Sequence, residues 1–280
     1  MRNIRIIARF EVARLARSTG GVLFLALATI IYAYVALKLV RWAAEVREAT
    51  ALADADNPAN KILTGFVGWL VDIEPEALTK MIGEHAPFAL VLFFVGLAVN
   101  PLLAILGTAD QTGSDIQTRH IRYLLLRTDR ASLYWGKTLG ALLFYGVSMA
   151  IICGLIGGAA FWGGAIGAGD LPYFLRVWLT LTLFAVPFIA LNGLTSAMTG
   201  HPGLALVVTL AFYMVVWLIS AIGAWAAPQV AFIEYLSPSA LKFDLASDDL
   251  TVLGKAIGHM AAVTVVAGLI GSTLFKRRDV

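Results

Sequence analysis

One segment of the chain has the spacing of a nucleotide-binding loop. Ala131 to Thr138, ASLYWGKT, places a Gly-Lys-Thr ending four residues after a small residue. A phosphate cradle needs flexible residues after a buried strand, because its backbone N–H groups must surround the phosphates. Bulky residues fill this segment and a long apolar run follows it, so the sequence argues against nucleotide binding. We predict instead that Lys137, Tyr134 and Trp135 anchor the chain at a membrane interface.

Other side chains that could do chemistry are scattered along the sequence. The four histidines show no HExxH spacing; they are His85, His120, His201 and His259. The single cysteine, Cys153, cannot form an intrachain disulfide or a cysteine metal cluster. No acidic residue falls within an apolar run of spanning length, which argues against a proton pump or protease built on intramembrane carboxylates. We assign no catalytic residue and no metal site, and we predict that the chain is not an enzyme by itself.

The composition predicts a protein embedded in a membrane. Of the 280 residues, 59% are hydrophobic and 14% are charged, whereas soluble domains have about 25% charged residues. The net charge of +3 is small and its basic residues gather beside apolar runs. It therefore favours a topology signal over nucleic-acid binding.

Six apolar segments are long enough to cross a hydrocarbon core of ~30 Å, which needs roughly 20 helical residues. They lie near 20–40, 87–107, 138–161, 173–198, 203–226 and 252–275. An even number of spans places both termini on one side. If the termini and residues 108–137 are inside, that side has 13 of the 21 basic residues and five of the 18 acids. This asymmetry predicts cytoplasmic termini in a prokaryotic inner membrane.

The first 18 residues have the pattern of an amphipathic helix on the inner leaflet. Arg2, Arg5 and Arg9 fall on one side of a helical wheel, and apolar residues that include Phe10 fall on the other. We expect Arg5, Arg9 and Phe10 to anchor this helix. A targeting sequence is also Arg-rich and amphipathic, but this segment leads directly into a span and contains Glu11. The fold class predicted is an all-α integral membrane protein, with one interfacial helix before six transmembrane helices.

Two segments on the predicted outer side are too long to be simple turns. Residues 41–86 are predicted to form an outer cap. Residues 227–250 are predicted to form an outer hairpin, which is too broken to span but apolar enough to enter the bilayer. Lys255 and His259 follow, one helical turn apart near the outer boundary, and a functional role for either stays open.

Polar and small residues within the spans predict kinks and close helix contacts. Asn100 precedes a proline in the second span and Asn192 follows one in the fourth, so we expect kinks and buried amides that need partners. Gly154 and Gly158 have the spacing that lets a second helix approach, from this chain or another copy, although loose packing would give the same pattern. We expect these four residues to shape a transport route or a dimer seam.

The connection between the second and third spans, residues 108–137, is basic. Its basic residues are Arg119, Arg122, Arg127, Arg130 and Lys137. Its apolar residues predict a short helix with one apolar face; they are Ile121, Leu124, Leu125, Leu133 and Trp135. Such a helix can contact a protein partner or lipid phosphate, but the charges can also be topology signals alone. The sequence leaves these alternatives open.

Together these features resemble the membrane subunits of ABC-2 type exporters. The most similar segments are IRYLLLRTDRASLYWGK, at Ile121 to Lys137, and the ending LFKRRDV. The resemblance implies a type V exporter-like fold, in which two membrane subunits assemble with two separate ATPase chains that hold ATP and Mg²⁺. It also implies a coupling helix between Asp110 and Arg130 that contacts the ATPase. The expected coupling residues are Gln117, Arg119, Arg122, Asp129 and Arg130.

The resemblance implies a permease that exports a lipid, a hydrophobic drug or a peptide. It pairs with a second copy or a homologue, contacts membrane lipid and binds no cofactor itself. An alternative of another class is an ABC-2-like factor for assembly or maturation of an extracytoplasmic or motility complex, with the outer cap as its docking surface. Both functions, and both kinds of pairing, stay open at this stage.

Overall fold

The computed structural model describes residues 2–52, 87–226, 233, 235–247 and 249–278. Within these ranges the chain forms α-helices and short 3-10 turns and contains no β-strand. Most of the outer cap predicted at 41–86 lies outside the described residues. So does the first part of the outer hairpin predicted at 227–250.

The described residues form nine α-helices. They are α1 (Arg2–Leu15), α2 (Thr19–Leu52), α3 (Pro87–Thr108), α4 (Gly113–Gln117), α5 (Ile121–Leu125), α6 (Arg130–Trp162), α7 (Leu171–Thr199), α8 (Pro202–Ala226) and α9 (Leu250–Arg277). The 3-10 turns are Ala168–Asp170 and Asp244–Ala246. Six helices, α2, α3 and α6 to α9, are long and apolar enough to cross a membrane. The chain therefore has the features of an all-α integral membrane protein, as its hydropathy predicts.

Local signals in the sequence explain where several helices begin and end. The Asp129 carboxylate accepts a hydrogen bond from the Ser132 backbone N–H at 2.8 Å, and so caps the first turn of α6. Asp249 caps α9 in the same way, since its Oδ1 accepts from the Thr251 N–H at 2.7 Å. Between α7 and α8 the chain turns sharply at Gly200, whose φ of +67° is one that L side chains rarely adopt. Pro202 then begins α8, where no N–H is needed.

The chain divides into two compact units. Unit 1 contains Met1–Leu27, Val99–Met149 and Thr182–Val280, and unit 2 contains Ala28–Ala98 and Ala150–Leu181. In unit 1, the ring of Phe24 stacks on Tyr145 with centroids 5.2 Å apart and contacts Phe144 edge-on at 5.7 Å. In unit 2, Phe88 and Phe174 pack with centroids 6.4 Å apart. Aromatic packing thus contributes to the core of each unit.

Buried amide and hydroxyl groups join three helices of unit 1. Asn192 on α7 is fully buried, and its Nδ2 donates to the Ile105 carbonyl at 2.9 Å and to Thr108 Oγ1 at 3.1 Å, both on α3. Thr209 on α8 donates to Asn192 Oδ1 at 3.1 Å. Asn100 is also fully buried. The structure therefore places both amides inside unit 1, and their expected role at a route or dimer seam stays a prediction.

The three hydrogen bonds of the Asn192 amide predict that the protein loses stability when this amide is removed. We expect Asn192→Leu, which keeps the number and branching of the side-chain heavy atoms, to lower the free energy of unfolding by about 1–2 kcal/mol, because interhelical hydrogen bonds in membranes have that order of strength. Denaturation of the purified protein in detergent micelles measures it. Thr273→Val, at an exposed position on α9, is the control, and equal stability of the two variants would contradict the role of Asn192.

Candidate functional site

Five charged residues that are distant in sequence meet inside unit 1. We call them the polar cluster: Glu11, Arg14, Asp110, Asp115 and Lys137. The side chains of Glu11 and Lys137 are each only 4% exposed. A buried charge persists only when other charges and hydrogen bonds satisfy it. The polar cluster therefore requires α1, the segment after α3 and the first turns of α6 to lie together.

Lys137 is the centre of this arrangement. Its ammonium group forms an ion pair with the Asp115 carboxylate, lies 3.3 Å from Glu11 Oε2 and donates to the Gln111 carbonyl at 2.9 Å. These contacts use all three donors of a lysine. Lys137 is thus buried, and so is Tyr134, which differs from the interfacial anchors predicted for them. The physical reason is that carboxylates from α1 and α4 provide the countercharge inside the protein.

Arg14 ties α1 to the chain segment that follows α3. Its Nη2 and Nε donate to the two carboxylate oxygens of Glu11 at 2.6 and 3.0 Å. Its Nη1 donates to Asp110 Oδ2 at 3.0 Å and to Ser114 Oγ at 3.1 Å. Burial by itself would lower the pKa of Arg14, but the hydrogen bond to Glu11 and the carboxylates of Glu11, Asp110 and Asp115 raise it above its ordinary value.

Two glycines allow α1 to approach α6 closely. A Cβ atom added at Gly136 would lie 2.8 Å from Ile7 Cβ, and one at Gly140 would lie 2.5 Å from Glu11 Cβ. Both distances are shorter than carbon atoms can approach, so these positions must lack a side chain. The small-xxx-small spacing of Gly136 and Gly140 is visible in the sequence. It was missed because Gly136 falls in the predicted connection, residues 108–137, and Gly140 falls in the predicted span, residues 138–161.

The surface of α1 differs in one respect from its helical-wheel prediction. Arg5 and Arg9 are exposed as expected, but Phe10 is also 72% exposed. The buried side of α1 instead contains Ala8, Glu11 and Leu15. The buried position of Glu11 follows from its pairing with Lys137. Phe10 is therefore free to contact something outside unit 1.

The basic connection folds as two short helices followed by the start of α6. The single helix expected across Ile121 to Trp135 is interrupted, because Asp129 caps a new helix that begins at Arg130. The apolar residues predicted for one face still come together. Ile121 and Leu133 are buried in one cluster, against which Leu124, Leu125 and Trp135 pack.

Four of the five expected coupling residues are exposed. They are Gln117, Arg119, Arg122 and Asp129. The hydrogen bonds of Asp129 with Ser132 lower the pKa of its carboxyl below the ordinary value, so this residue has a structural role at the start of α6. Arg119 has a φ of 59°, which is uncommon and strained for a residue with a side chain.

The fifth expected coupling residue, Arg130, forms hydrogen bonds with the C-terminal end of α9. Its Nη1 donates to the carbonyls of Lys276 at 2.8 Å and Arg278 at 2.5 Å. Arg278 in turn donates to the carbonyls of Ala197 at 2.6 Å and Met198 at 2.9 Å, at the end of α7. These arginines satisfy carbonyls that helix ends leave unpaired.

Two exposed apolar residues lie among the exposed arginines. Tyr123 is 71% exposed and Leu126 is 83% exposed. We define the exposed basic surface as Gln117, Arg119, Arg122, Tyr123 and Leu126. Neither Tyr123 nor Leu126 fits the predicted apolar face of this segment, so the sequence pattern predicts no role for them. Apolar side chains with this exposure can contact a partner protein or the membrane surface.

The pair Gly154 and Gly158 lies in unit 2 beside a groove of about 460 Å³. Both residues are exposed, and a Cβ atom at either would meet nothing within 4 Å. The intermediate glycine, Gly157, is the one that contacts another helix, because a Cβ there would lie 2.5 Å from the Phe174 ring on α7. The role of Gly154 and Gly158 at a dimer seam stays a prediction.

The polar cluster predicts a strong dependence of stability on charge pairing. We expect Lys137→Met to lower the free energy of unfolding by about 3–5 kcal/mol, because it leaves buried carboxylates without their partner. Adding Asp115→Asn should recover a large part of that loss. Denaturation of the single and double variants gives the coupling energy, and Lys255→Met, at an exposed lysine, is the control. Additive effects of the two substitutions would contradict the pairing.

The close contact of α1 with α6 predicts a position-specific effect of glycine substitution. In a chain with Cys153→Ser, a Leu15→Cys reporter is buried and should react slowly with a maleimide. We expect Gly140→Val to displace α1 and to speed this reaction at least tenfold. Gly158→Val, on the same helix, should leave the rate unchanged. Equal rates in both glycine variants would contradict the α1 contact.

The candidate site therefore consists of the exposed basic surface and the polar cluster that fixes it to α1 and α6. Within the polar cluster, Lys137 and Arg14 bind carboxylates and carbonyls of the chain itself. The arginines of the exposed basic surface do not take part in these contacts. Among the described residues, no group of three His, Cys, Asp or Glu residues could hold a metal ion. The sequence matches no protein-family model and no curated protein.

Proposed function

We propose that this chain is the membrane subunit of an ATP-driven exporter of the ABC-2 type, with the type V fold. In this proposal the exposed basic surface contacts a separate ATPase chain, which holds ATP and Mg²⁺. The observation that carries the proposal is the pair of buried ion pairs that join α4, which contains Gln117 of this surface, to α6 and α1. It agrees with the resemblance in residues Ile121 to Lys137.

The contacts of the polar cluster favour transmission of force. Asp115 lies on α4, directly before Gln117 and Arg119 of the exposed basic surface, and it pairs with Lys137 on α6. A displacement of α4 therefore acts on α6 through a buried ion pair. Helix α6 has 33 residues, which corresponds to roughly 50 Å at 1.5 Å per residue. This length exceeds the hydrocarbon core of ~30 Å, so movement at one end can reach the other side.

The composition of the exposed basic surface favours a protein partner over a topology signal alone. Arginine and aromatic residues are enriched in protein interfaces, and Arg119, Arg122 and Tyr123 are exposed together. Positive-inside topology needs the charges but gives no reason for exposed Tyr123 and Leu126. We infer a partner surface that is acidic and has an apolar recess.

The position of Lys137 supports a division of labour between two chains. Ala131 to Thr138 is part of α6 rather than a loop, and the Lys137 ammonium faces Glu11 and Asp115. A phosphate-binding lysine must instead reach a bound nucleotide from a flexible loop. ATP binding by the partner chain therefore fits this geometry better than ATP binding here.

The remaining parts of the proposal concern placement and assembly. The charge asymmetry of the sequence favours cytoplasmic termini in a prokaryotic inner membrane, with α1 on the inner leaflet. The exposed face at Gly154 and Gly158 offers a surface for a second copy or a homologue. A substrate of the lipid, hydrophobic drug or peptide class suits the apolar composition. The assembly-factor alternative relies on the outer cap, most of which lies outside the described residues, and it stays open.

If the exposed basic surface binds the ATPase chain, a charge reversal on this surface should separate the two chains. The tagged full chain, purified from its own host, should carry ATPase activity, and Arg122→Glu should lower that activity at least tenfold by repelling an acidic partner surface. Lys255→Glu, at an exposed lysine predicted on the other side, should keep it. We choose Arg122 because reversal of Arg130 would also break its bonds to α9.

Two results would contradict the proposed function. One is a tagged wild-type chain that carries no ATPase activity from its own host. The other is ATP hydrolysis by the isolated chain after every partner has been removed. Equal activity in the Arg122→Glu and wild-type samples would remove the exposed basic surface from the contact.

A further inference from the structure

Unit 1 contains a pocket of about 500 Å³ between α1, α5 and the start of α6. This volume is within the range of about 300–1,000 Å³ that is typical of ligand pockets. One wall is apolar and includes Ile6 and Phe10 from α1, Leu124 from α5 and Leu133 from α6. Four residues of the polar cluster also line the pocket; they are Glu11, Arg14, Asp115 and Lys137. The pocket is therefore amphipathic, which predicts an amphipathic occupant.

Four polar side chains of this pocket have no hydrogen-bond or ion-pair partner within the described part of the chain; they are Asn3, His120, Arg127 and Thr128. The Thr128 hydroxyl is buried and unpaired. The Arg127 guanidinium and the His120 imidazole are exposed, and the His120 ring lies 6.2 Å from the ring of Tyr123, centroid to centroid. Arginine can only donate hydrogen bonds, and threonine and histidine can both donate. Together they fit a ligand group that is rich in acceptors and negatively charged.

The charges around the pocket have a cation in excess. Arg14 and Lys137 are paired with Glu11 and Asp115 inside the polar cluster. Arg127 remains as a charge without a carboxylate partner. Phosphate binds arginine well, because its oxygens accept two parallel N–H bonds from one guanidinium. The unpaired polar groups of this pocket therefore fit a phosphate group, and they lie beside an apolar wall.

The pocket lies at the ends of two candidate membrane spans. Its residues on α1 precede the span that begins at Thr19, and Leu133 and Lys137 lie in the first turns of α6. Lipid phosphates and acyl chains meet at this depth of a bilayer. The apolar wall is also accessible from outside, since Ile6 is 49% exposed and Phe10 is 72% exposed. A lipid can therefore enter from the side.

We propose that this pocket binds one anionic phospholipid, with its phosphate on Arg127, His120 and Thr128 and an acyl chain along Ile6, Phe10 and Leu124. An inorganic phosphate ion would leave the apolar wall exposed to water, and a neutral lipid would leave Arg127 without a countercharge. The bound lipid would fill the space between α1 and α5. This inference depends on the membrane location of the chain and not on the exporter proposal.

The test is lipid binding by the purified full chain. Native mass spectrometry would count retained lipids after exchange into micelles with phosphatidylglycerol, phosphatidylcholine or inorganic phosphate. We expect one phosphatidylglycerol per chain and no retained phosphate ion. Arg127→Glu should weaken phosphatidylglycerol binding about tenfold, because it reverses the free cation. Leu124→Trp should weaken it to a similar degree by filling the apolar side without a change of charge.

A matched variant separates this site from general surface charge. Arg122→Glu makes the same charge change five residues away and does not line the pocket, so it should retain phosphatidylglycerol within about twofold while it loses the ATPase activity. Equal retention of phosphatidylcholine, binding of inorganic phosphate in place of lipid, or unchanged binding by both Arg127→Glu and Leu124→Trp would overturn the proposal. Circular dichroism and the melting temperature establish that each variant is folded.

Discussion

The burial of Lys137 constrains the rest of unit 1. A lysine ammonium that is removed from water needs countercharges and acceptors at close range. Glu11 and Asp115 provide the charges, and they come from helices that precede Lys137 in the chain by 126 and 22 residues. Helix α1 must therefore lie against α6, and the segment after α3 must fold back on both. Gly136 and Gly140 of α6 provide the space for this contact.

The same pairing determines which charges remain available for a partner. Asp110 and Asp115 point toward the polar cluster, and Asp129 caps α6. Asp129 is then the one exposed acid of the basic connection, against the exposed Arg119, Arg122 and Arg127. The exposed basic surface is thus positive because Asp110 and Asp115 are paired within the protein. The ion pairs that stabilise the fold therefore also leave the positive charges that the proposed ATPase contact and the lipid pocket use.

The sequence predicted the helical class and the number of apolar helices, because hydropathy and length are local properties. It also predicted that Asn192 would be a buried amide in need of partners. It did not predict the partners of Lys137, since a pairing between residues 126 positions apart leaves no periodic signal. The start of α6 at Arg130 was missed although the Asp129 cap is visible in the sequence. The apolar residues on both sides of that cap fit one continuous helix equally well.

The arginine bonds at the end of α9 change how the last residues of the chain are understood. Arg130 holds the carbonyls of Lys276 and Arg278, and Arg278 holds the carbonyls that end α7. Residues 276–278 therefore connect the end of α9 to the end of α7 and to the start of α6. A fluorescent protein or purification tag attached close to Arg278 would strain these hydrogen bonds. A spacer of several flexible residues before the tag would leave them unstrained.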